Sequence, residues 1–183
     1  MPFFGGALWI DFLNTTPVMN GEAIDFLFNA EGLAKWARAA GIDCAGRPSK
    51  AELKSAWETR TALRELFDKL SAGGAISARR LEPIDRLVGS VEIRERLILR
   101  DGHLALAEET RIEKDVVATT VARDFAKFIC EAEPERLKHC ANPACSMVFY
   151  DRGRNNIRRW CTMAICGNRD KVAQYRARKA REK

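Results

Sequence analysis

Residues 140–171 read CANPACSMVFYDRGRNNIRRWCTMAICGNRDK, and the cysteines in this stretch decide the fold of the last quarter of the chain. Cys140, Cys145, Cys161 and Cys166 follow the spacing C-x4-C-x15-C-x4-C. Two close pairs, each held by a tight turn and joined by a longer arm, are what a single tetrahedral ion requires. Four thiolates close the coordination shell of Zn2+, so no position stays open for a reactive water. The expectation is one structural zinc, which substitutes for a hydrophobic core that so short a segment barely builds alone. An iron–sulfur cluster also takes four cysteines, and spacing alone does not separate the two. Disulfides are the weaker reading, because the opening MPFFGGALWIDFLN lacks a basic leader and already carries Asp11. Cys44 and Cys130 stand apart and read as small, semi-buried hydrophobes.

Between the pairs, Val148-Phe149-Tyr150 suits a strand and Asp151 to Asn156 a turn. Ile157 to Trp160 are expected to return as a second strand, with Phe149 and Trp160 as the packed apolar residues. Cys166 then falls at the entrance of a basic helix running from about Arg169 to the terminus. There, free amides and the helix dipole favour a thiolate. The arrangement resembles a treble-clef-like finger of hairpin plus helix.

Working outward, the charge is uneven. The chain of 183 residues has 31 Lys+Arg and 25 Asp+Glu, a net charge of +6. From Arg136 onward 13 basic residues face 3 acidic ones, so the end carries +10 and the rest −4. An acidic body with a basic tail implies an anionic partner for one end only.

The body reads as mainly helical with one β-hairpin, making the whole chain α+β. A short helix is expected to end near Asn14. Asn29 caps a second helix that carries Leu33, Trp36 and Ala37 and stops at Gly41. Ser49 and Glu52 form a capping box before a long helix ending at Gly73-Gly74, with Leu53, Ala56, Trp57, Leu63, Leu66, Phe67 and Leu70 inward. A helix from Ser77 to about Val88 should bury Leu81, Ile84 and Leu87, and Pro83 threatens to interrupt it. Then the period becomes two. Residues 95–100 and 103–108 flank Asp101-Gly102, the pair demanded by a type I′ turn. A last body helix spans about Asp115–Glu131, and Pro134 ends the body. The expected domains are therefore 1–133 and 134–183.

Arg158-Arg159-Trp160-Cys161, Met163 and Cys166-Gly167-Asn168-Arg169 together resemble the CGNR zinc finger. The opening Ile10-Asp11-Phe12-Leu13-Asn14-Thr15 resembles the start of the ABATE domain, found before this finger in bacterial proteins described as stress-induced transcription regulators. The resemblance implies a ligand-sensing or dimerising front domain and a DNA-binding finger, and so a regulator of transcription in the stress response.

Candidate DNA contacts are Arg152, Arg154, Arg158 and Arg159 in the arm and Asn168, Arg169, Lys171, Gln174, Arg176 and Arg178 on the helix. Arginine forks onto phosphate or guanine, and Asn and Gln match adenine. Arg158, Arg159 and Arg169 equally suit neutralisation of the zinc–thiolate centre. Because phosphate attraction does not identify the polymer, an RNA- or ribosome-associated role is the alternative. In the body, Trp9, Asp11, Asn14 and Thr15 are the candidates for a small-molecule effector site, although Asn14 and Thr15 also suit the end of the first helix. The open edge of the hairpin suits a homodimer. No apolar run spans a bilayer, and the compartment expected is the cytoplasm. The chain lacks a phosphate loop, a nucleophile motif and H-E-x-x-H, and is not expected to be an enzyme.

Overall fold

The computed structural model describes residues 3–19, 21–44 and 46–181, so the outermost residues of both expected domains, Lys183 among them, lie outside the described set. The body comprises α1 (Leu8–Leu13), a two-residue ladder β1 (Val18–Met19) and β2 (Glu22–Ala23), α2 (Ala30–Ala39), α3 (Lys50–Ser71), α4 (Ala78–Gly89), the hairpin β3 (Glu92–Arg100) and β4 (His103–Arg111), and α5 (Val116–Ile129). A 3-10 turn at Pro134–Arg136 leads into β5 (Leu137–His139) and β6 (Val148–Tyr150), and the chain ends in α6 (Asn168–Arg181). The three sheets are separate antiparallel pairs.

Local chemistry fixes these boundaries. The Asn29 side chain accepts the Gly32 amide at 2.8 Å and starts α2. At α3, Ser49 Oγ accepts the Glu52 amide at 3.2 Å while Glu52 Oε2 accepts the Ser49 amide at 2.8 Å, the expected capping box. Asp101 and Gly102 both take positive φ, 50° and 78°, as the type I′ turn requires. The helix α4 continues through Pro83, so proline costs one i→i−4 hydrogen bond without ending the helix.

The core is organised around Trp9. Its ring centroid lies 5.1 Å from that of Phe125, and 5.9 Å from those of Phe67 and Phe128. Phe12 and Trp36 extend the cluster, meeting edge to face at 4.9 Å. Leu33, Leu53, Ala56, Leu63, Leu66, Val117 and Val121 complete it. Three residues from beyond Pro134 belong to the same core: Leu137, Val148 and Tyr150. Phe149, between the last two, points the other way and joins Cys140, Met147, Cys161 and Cys166 in a second cluster. This is the two-residue alternation of a strand put to use, with one face of β6 toward the body and the other toward the cysteines.

Several expectations are corrected. Residues 157–160 form no strand; the partner of β6 is β5, paired Leu137 to Tyr150 and His139 to Val148. The reason is local, since the Arg158 amide is held by Asp151 Oδ2 at 2.7 Å and is taken out of any ladder. Trp57 lies at the edge of the α3 stripe, 38% exposed, with its indole N–H donating to the Leu27 carbonyl at 2.7 Å. Leu81 is exposed on α4, where only Ile84 is buried. Cys130 is exposed at the end of α5.

The seam between body and finger is hydrogen-bonded as well as packed. Asn14 Nδ2 donates to the Val148 carbonyl and Asn14 Oδ1 accepts the Val148 amide, both at 2.9 Å and both buried. A side-chain amide here completes a ladder that has no further strand. Substituting Asn14→Ala leaves a buried N–H and a buried C=O unmet. The expected loss is about 2–4 kcal/mol of unfolding free energy, measured by urea denaturation of the zinc-loaded chain. A loss under about 0.5 kcal/mol would refute this account of the seam.

Candidate metal centre and the basic surface beside it

Each cysteine pair is set by backbone hydrogen bonds that its neighbours make inevitable. The first pair closes as the Cys145 amide donates to the Asn142 carbonyl at 2.9 Å, with Asn142 Oδ1 accepting the Ala144 amide at 3.0 Å. Cys140 leaves β5 with its amide on the Met147 carbonyl at 2.9 Å. The second pair sits on a wide helical turn, Met163–Gly167, capped by Thr162 Oγ1, which accepts the Ile165 amide at 3.2 Å. The two pairs are joined by the Ala141 amide on the Arg159 carbonyl at 2.8 Å.

The four sulfur atoms lie within 4.8 Å of one another. Cys145 and Cys161 are 3.8 Å apart, and Cys161 and Cys166 3.5 Å. Tetrahedral zinc–thiolate bonding implies sulfur separations of about 3.8 Å, so these residues fit one ion. The Cys161 amide donates to Cys140 Sγ at 3.4 Å, the kind of contact that steadies a ligating thiolate. Two of the thiols resist ionisation. Burial, with the neighbouring thiols, pushes Cys145 up to about 11 and Cys161 higher still. Burial opposes Cys140 too, but the Cys161 and Asn142 amides hold it below the ordinary thiol value. A bound zinc supplies the positive charge that such a cluster lacks and, with its shell closed by sulfur, acts structurally.

Arg158 and Asp151 frame this centre. The Arg158 guanidinium lies 4.1 Å from the Phe149 ring centre and donates to the carbonyls of Phe4, Trp160 and Cys161. Asp151, 1% exposed, accepts the Gly153 and Arg158 amides and Lys138 Nζ. Those donors outweigh burial and hold its carboxyl below the ordinary value. Sequence reasoning placed Asp151 only in a turn and gave Lys138 no role. The signal available was the Asp-x-Gly pattern, whose first side chain caps the third amide.

Arg152 and Arg158 are therefore engaged at the seam, Arg152 donating to the Gly6 carbonyl at 3.1 and 2.6 Å. Arg154 and Arg159 are exposed, Arg159 lying 5.0 Å from the Trp160 ring centre. The α6 candidates stand on a helix that packs chiefly against the Met163–Gly167 turn and is solvent-exposed along nearly its whole length. Arg169 and Arg176 flank a shallow groove with Ile165, Val172 and Ala173. Asn168 Nδ2 donates to the Ala164 carbonyl at 3.0 Å, and Gln174 Nε2 to Asp170 at 2.7 Å. Arg178 lies 5.8 Å from the Tyr175 ring centre. Among the described residues, the side chains of Arg154, Arg169, Lys171 and Arg176 show no hydrogen bond or ion pair.

The four effector candidates are all buried. Trp9 is wholly buried among the core rings. Asp11 accepts the Gly5 amide at 2.7 Å, Asn14 holds β6, and Thr15 Oγ1 accepts from Arg60 at 2.8 Å. None of the four lines the described cavities; a cleft of about 860 Å³ lies instead between α3 and α4, against Trp57, Thr61, Glu65, Arg79 and Arg80. Of the four, Asn14 bonds across the seam, whereas Asp11 and Thr15 bond within the body.

With this geometry in view, the chain was compared with known families. Residues 6–132 match the ABATE family, described as "Putative stress-induced transcription regulator". The chain belongs to the ABATE family. Behind the ABATE domain, residues 136–179 match the CGNR zinc finger. Curated proteins gave no match. Asn14, within the ABATE match, thus holds Val148 of the CGNR finger, and Cys166 to Arg169 join the metal centre to α6. No described helix is long and apolar enough to cross a membrane.

Two outcomes follow. Cys161→Ser should lose zinc, read as metal per chain by mass spectrometry. Because β6 belongs to both clusters, chelation should destabilise the whole chain by about 4 kcal/mol or more, in a single thermal transition. A body that melts unchanged after chelation would disprove the coupling. Separately, burial raises Asp11 from 3.8 to about 6, with Asp124 adding to the effect and the Gly5 and Phe4 amides opposing it. A raised carboxyl stabilises the fold while protonated, and that contribution is lost as pH rises from about 4 through 6. Asp11→Asn keeps the acceptor oxygen without the charge. Its stability advantage over the parent should be near zero at pH 4 and grow to at most about 3 kcal/mol at pH 7. A pH-independent difference would contradict the assignment.

Proposed function

We propose that this chain is a non-catalytic transcription regulator whose CGNR finger binds duplex DNA and whose ABATE domain controls how the finger is presented. The observation that carries this reading is α6, a cationic helix standing clear of the body on the four-cysteine centre. Its exposed Arg169, Lys171, Arg176 and Arg178 present the donors that phosphate and guanine accept. The ABATE family description, a stress-induced transcription regulator, supports the same role.

The route from body to finger is short. The carbonyls of Phe4, Gly5 and Gly6 receive Arg158, the Tyr150 amide and Arg152 in turn. Asp11 fixes the Gly5 amide in the middle of this strap. An effector that shifts α1 moves the strap and with it the platform of α6, which is how a body-bound ligand changes DNA affinity.

Fluorescence anisotropy with a labelled duplex tests this. Affinity of the zinc-loaded chain should fall steeply with salt, and chelation should abolish it. Arg169→Ala and Arg176→Ala should each reduce the slope of log K against log salt by about 1. Binding that is absent or salt-independent would overturn the proposal, and preference for structured RNA in competition would move it to the other polymer.

A further inference from the structure

The last helix presents two unlike faces. Arg169, Val172, Ala173 and Arg176 stand at i, i+3, i+4 and i+7 and so share one side of α6. This side continues the surface of the Met163–Gly167 turn, and a shallow groove runs along it from Ala164 and Ile165. Ile165 is 46% exposed and Val172 is 48% exposed. The side chains of Arg169 and Arg176 are open to solvent at either end of the strip. Lys171, Gln174 and Arg178 lie on the opposite side, again at i, i+3 and i+7. Two of those three are engaged: Gln174 Nε2 donates to Asp170 Oδ2 at 2.7 Å, and the Arg178 guanidinium lies 5.8 Å from the Tyr175 ring centre. Asp170, the one acidic residue of α6, stands on that side too.

Resting on the DNA-binding reading above, we propose that the side of α6 bearing Arg169, Val172, Ala173 and Arg176 is the one that enters the major groove. Val172 there reads the methyl group of thymine, and the two arginines read guanines on either side of it. Charge favours duplex DNA as the occupant: α6 carries Arg169, Lys171, Arg176, Arg178 and Lys179 against Asp170 alone, which suits a polyanion. The alternation of the strip favours it as well. Small aliphatic side chains lie between arginines, and the groove floor offers the same sequence of groups, a thymine methyl between the O6 and N7 acceptors of guanines. Val172 and Ala173 are short, so the helix backbone can approach the floor while the longer arginines reach out from the ends. Dimensions agree. Arg169 and Arg176 are two turns apart, about 10 Å along the axis, which is about three base-pair steps. With the opposite side inward, the Asp170 carboxylate would face an anionic groove. With this side inward it is turned away, and Lys171 and Arg178 act only through their general attraction for phosphate.

The test separates this inference from the reading it rests on. A pool of randomised short duplexes, selected on the full zinc-loaded chain, should yield a short core with a T·A pair between two G·C pairs. Replacing that thymine by deoxyuridine removes only the methyl group. The change should weaken binding to the parent about fourfold, and leave binding to Val172→Ala unaltered. Val172 is exposed and alanine favours a helix, so this variant keeps the fold, with zinc content and far-UV dichroism as the check. Arg169→Ala should relax the preference at one guanine about tenfold. Lys171→Ala/Arg178→Ala should weaken selected and scrambled duplexes by the same factor. A pool that binds without enriching a core, or enriches one without thymine, would overturn the inference and leave DNA binding standing. Equal deoxyuridine penalties in the parent and Val172→Ala would do the same, as would specificity lost in Lys171→Ala/Arg178→Ala. A pool that does not bind at all would overturn both.

Discussion

Everything in the last quarter of the chain depends on the alternation of three residues in β6. Val148 and Tyr150 are buried in the core around Trp9, while Phe149 faces the cysteines. A strand of three residues cannot hold its own position. Here it is clamped from both faces, along its ladder to β5 and by Asn14 where a further strand would lie. The thiolate cluster therefore has a rigid floor, and the body has a wall made from the finger. Two family domains meet on a shared strand, where a flexible linker would ordinarily be expected.

That sharing explains the division of labour among the arginines. Arg152 and Arg158 read from charge as partners for phosphate, and Arg158 equally as a neutraliser of the zinc–thiolate centre. Their guanidinium groups donate to backbone carbonyls of the strap and of the second cysteine pair, and Arg158 covers Phe149. Arginine suits this because one planar fork meets several carbonyls while its face rests on a ring. On α6, Arg169, Lys171 and Arg176 are exposed and make no such bond among the described residues.

The parts of the fold visible in the sequence are those set by local chemistry. The capping box at Ser49, the Asp101-Gly102 turn, the apolar period of the long helix and the cysteine spacing each have a short-range physical cause. What stayed hidden depends on contacts between distant residues. Asn14 meeting Val148, 134 positions away, leaves no local trace, and Asn14 and Thr15 read as ligand anchors or as the end of the first helix. The pairing of β5 with β6 was missed for a similar reason: Leu137-Lys138-His139 is too short for a period, whereas Ile157 to Trp160 looked extended. Trp57 shows the limit of reading periodicity, since a residue at the margin of a stripe can satisfy its N–H on a neighbouring loop and stay half in solvent.

The ribbon of β3 and β4 has a further consequence for how such chains can vary. Its nine paired residues extend about 30 Å, close to the length of one turn of duplex DNA. Side chains on a ribbon alternate, so adding or removing a single residue per strand would turn every leucine to the opposite side. Length can change only in increments of two per strand, each about 7 Å. The distance from tip to body is thus quantised by the pleat, and relatives with longer or shorter arms should differ by even numbers of residues.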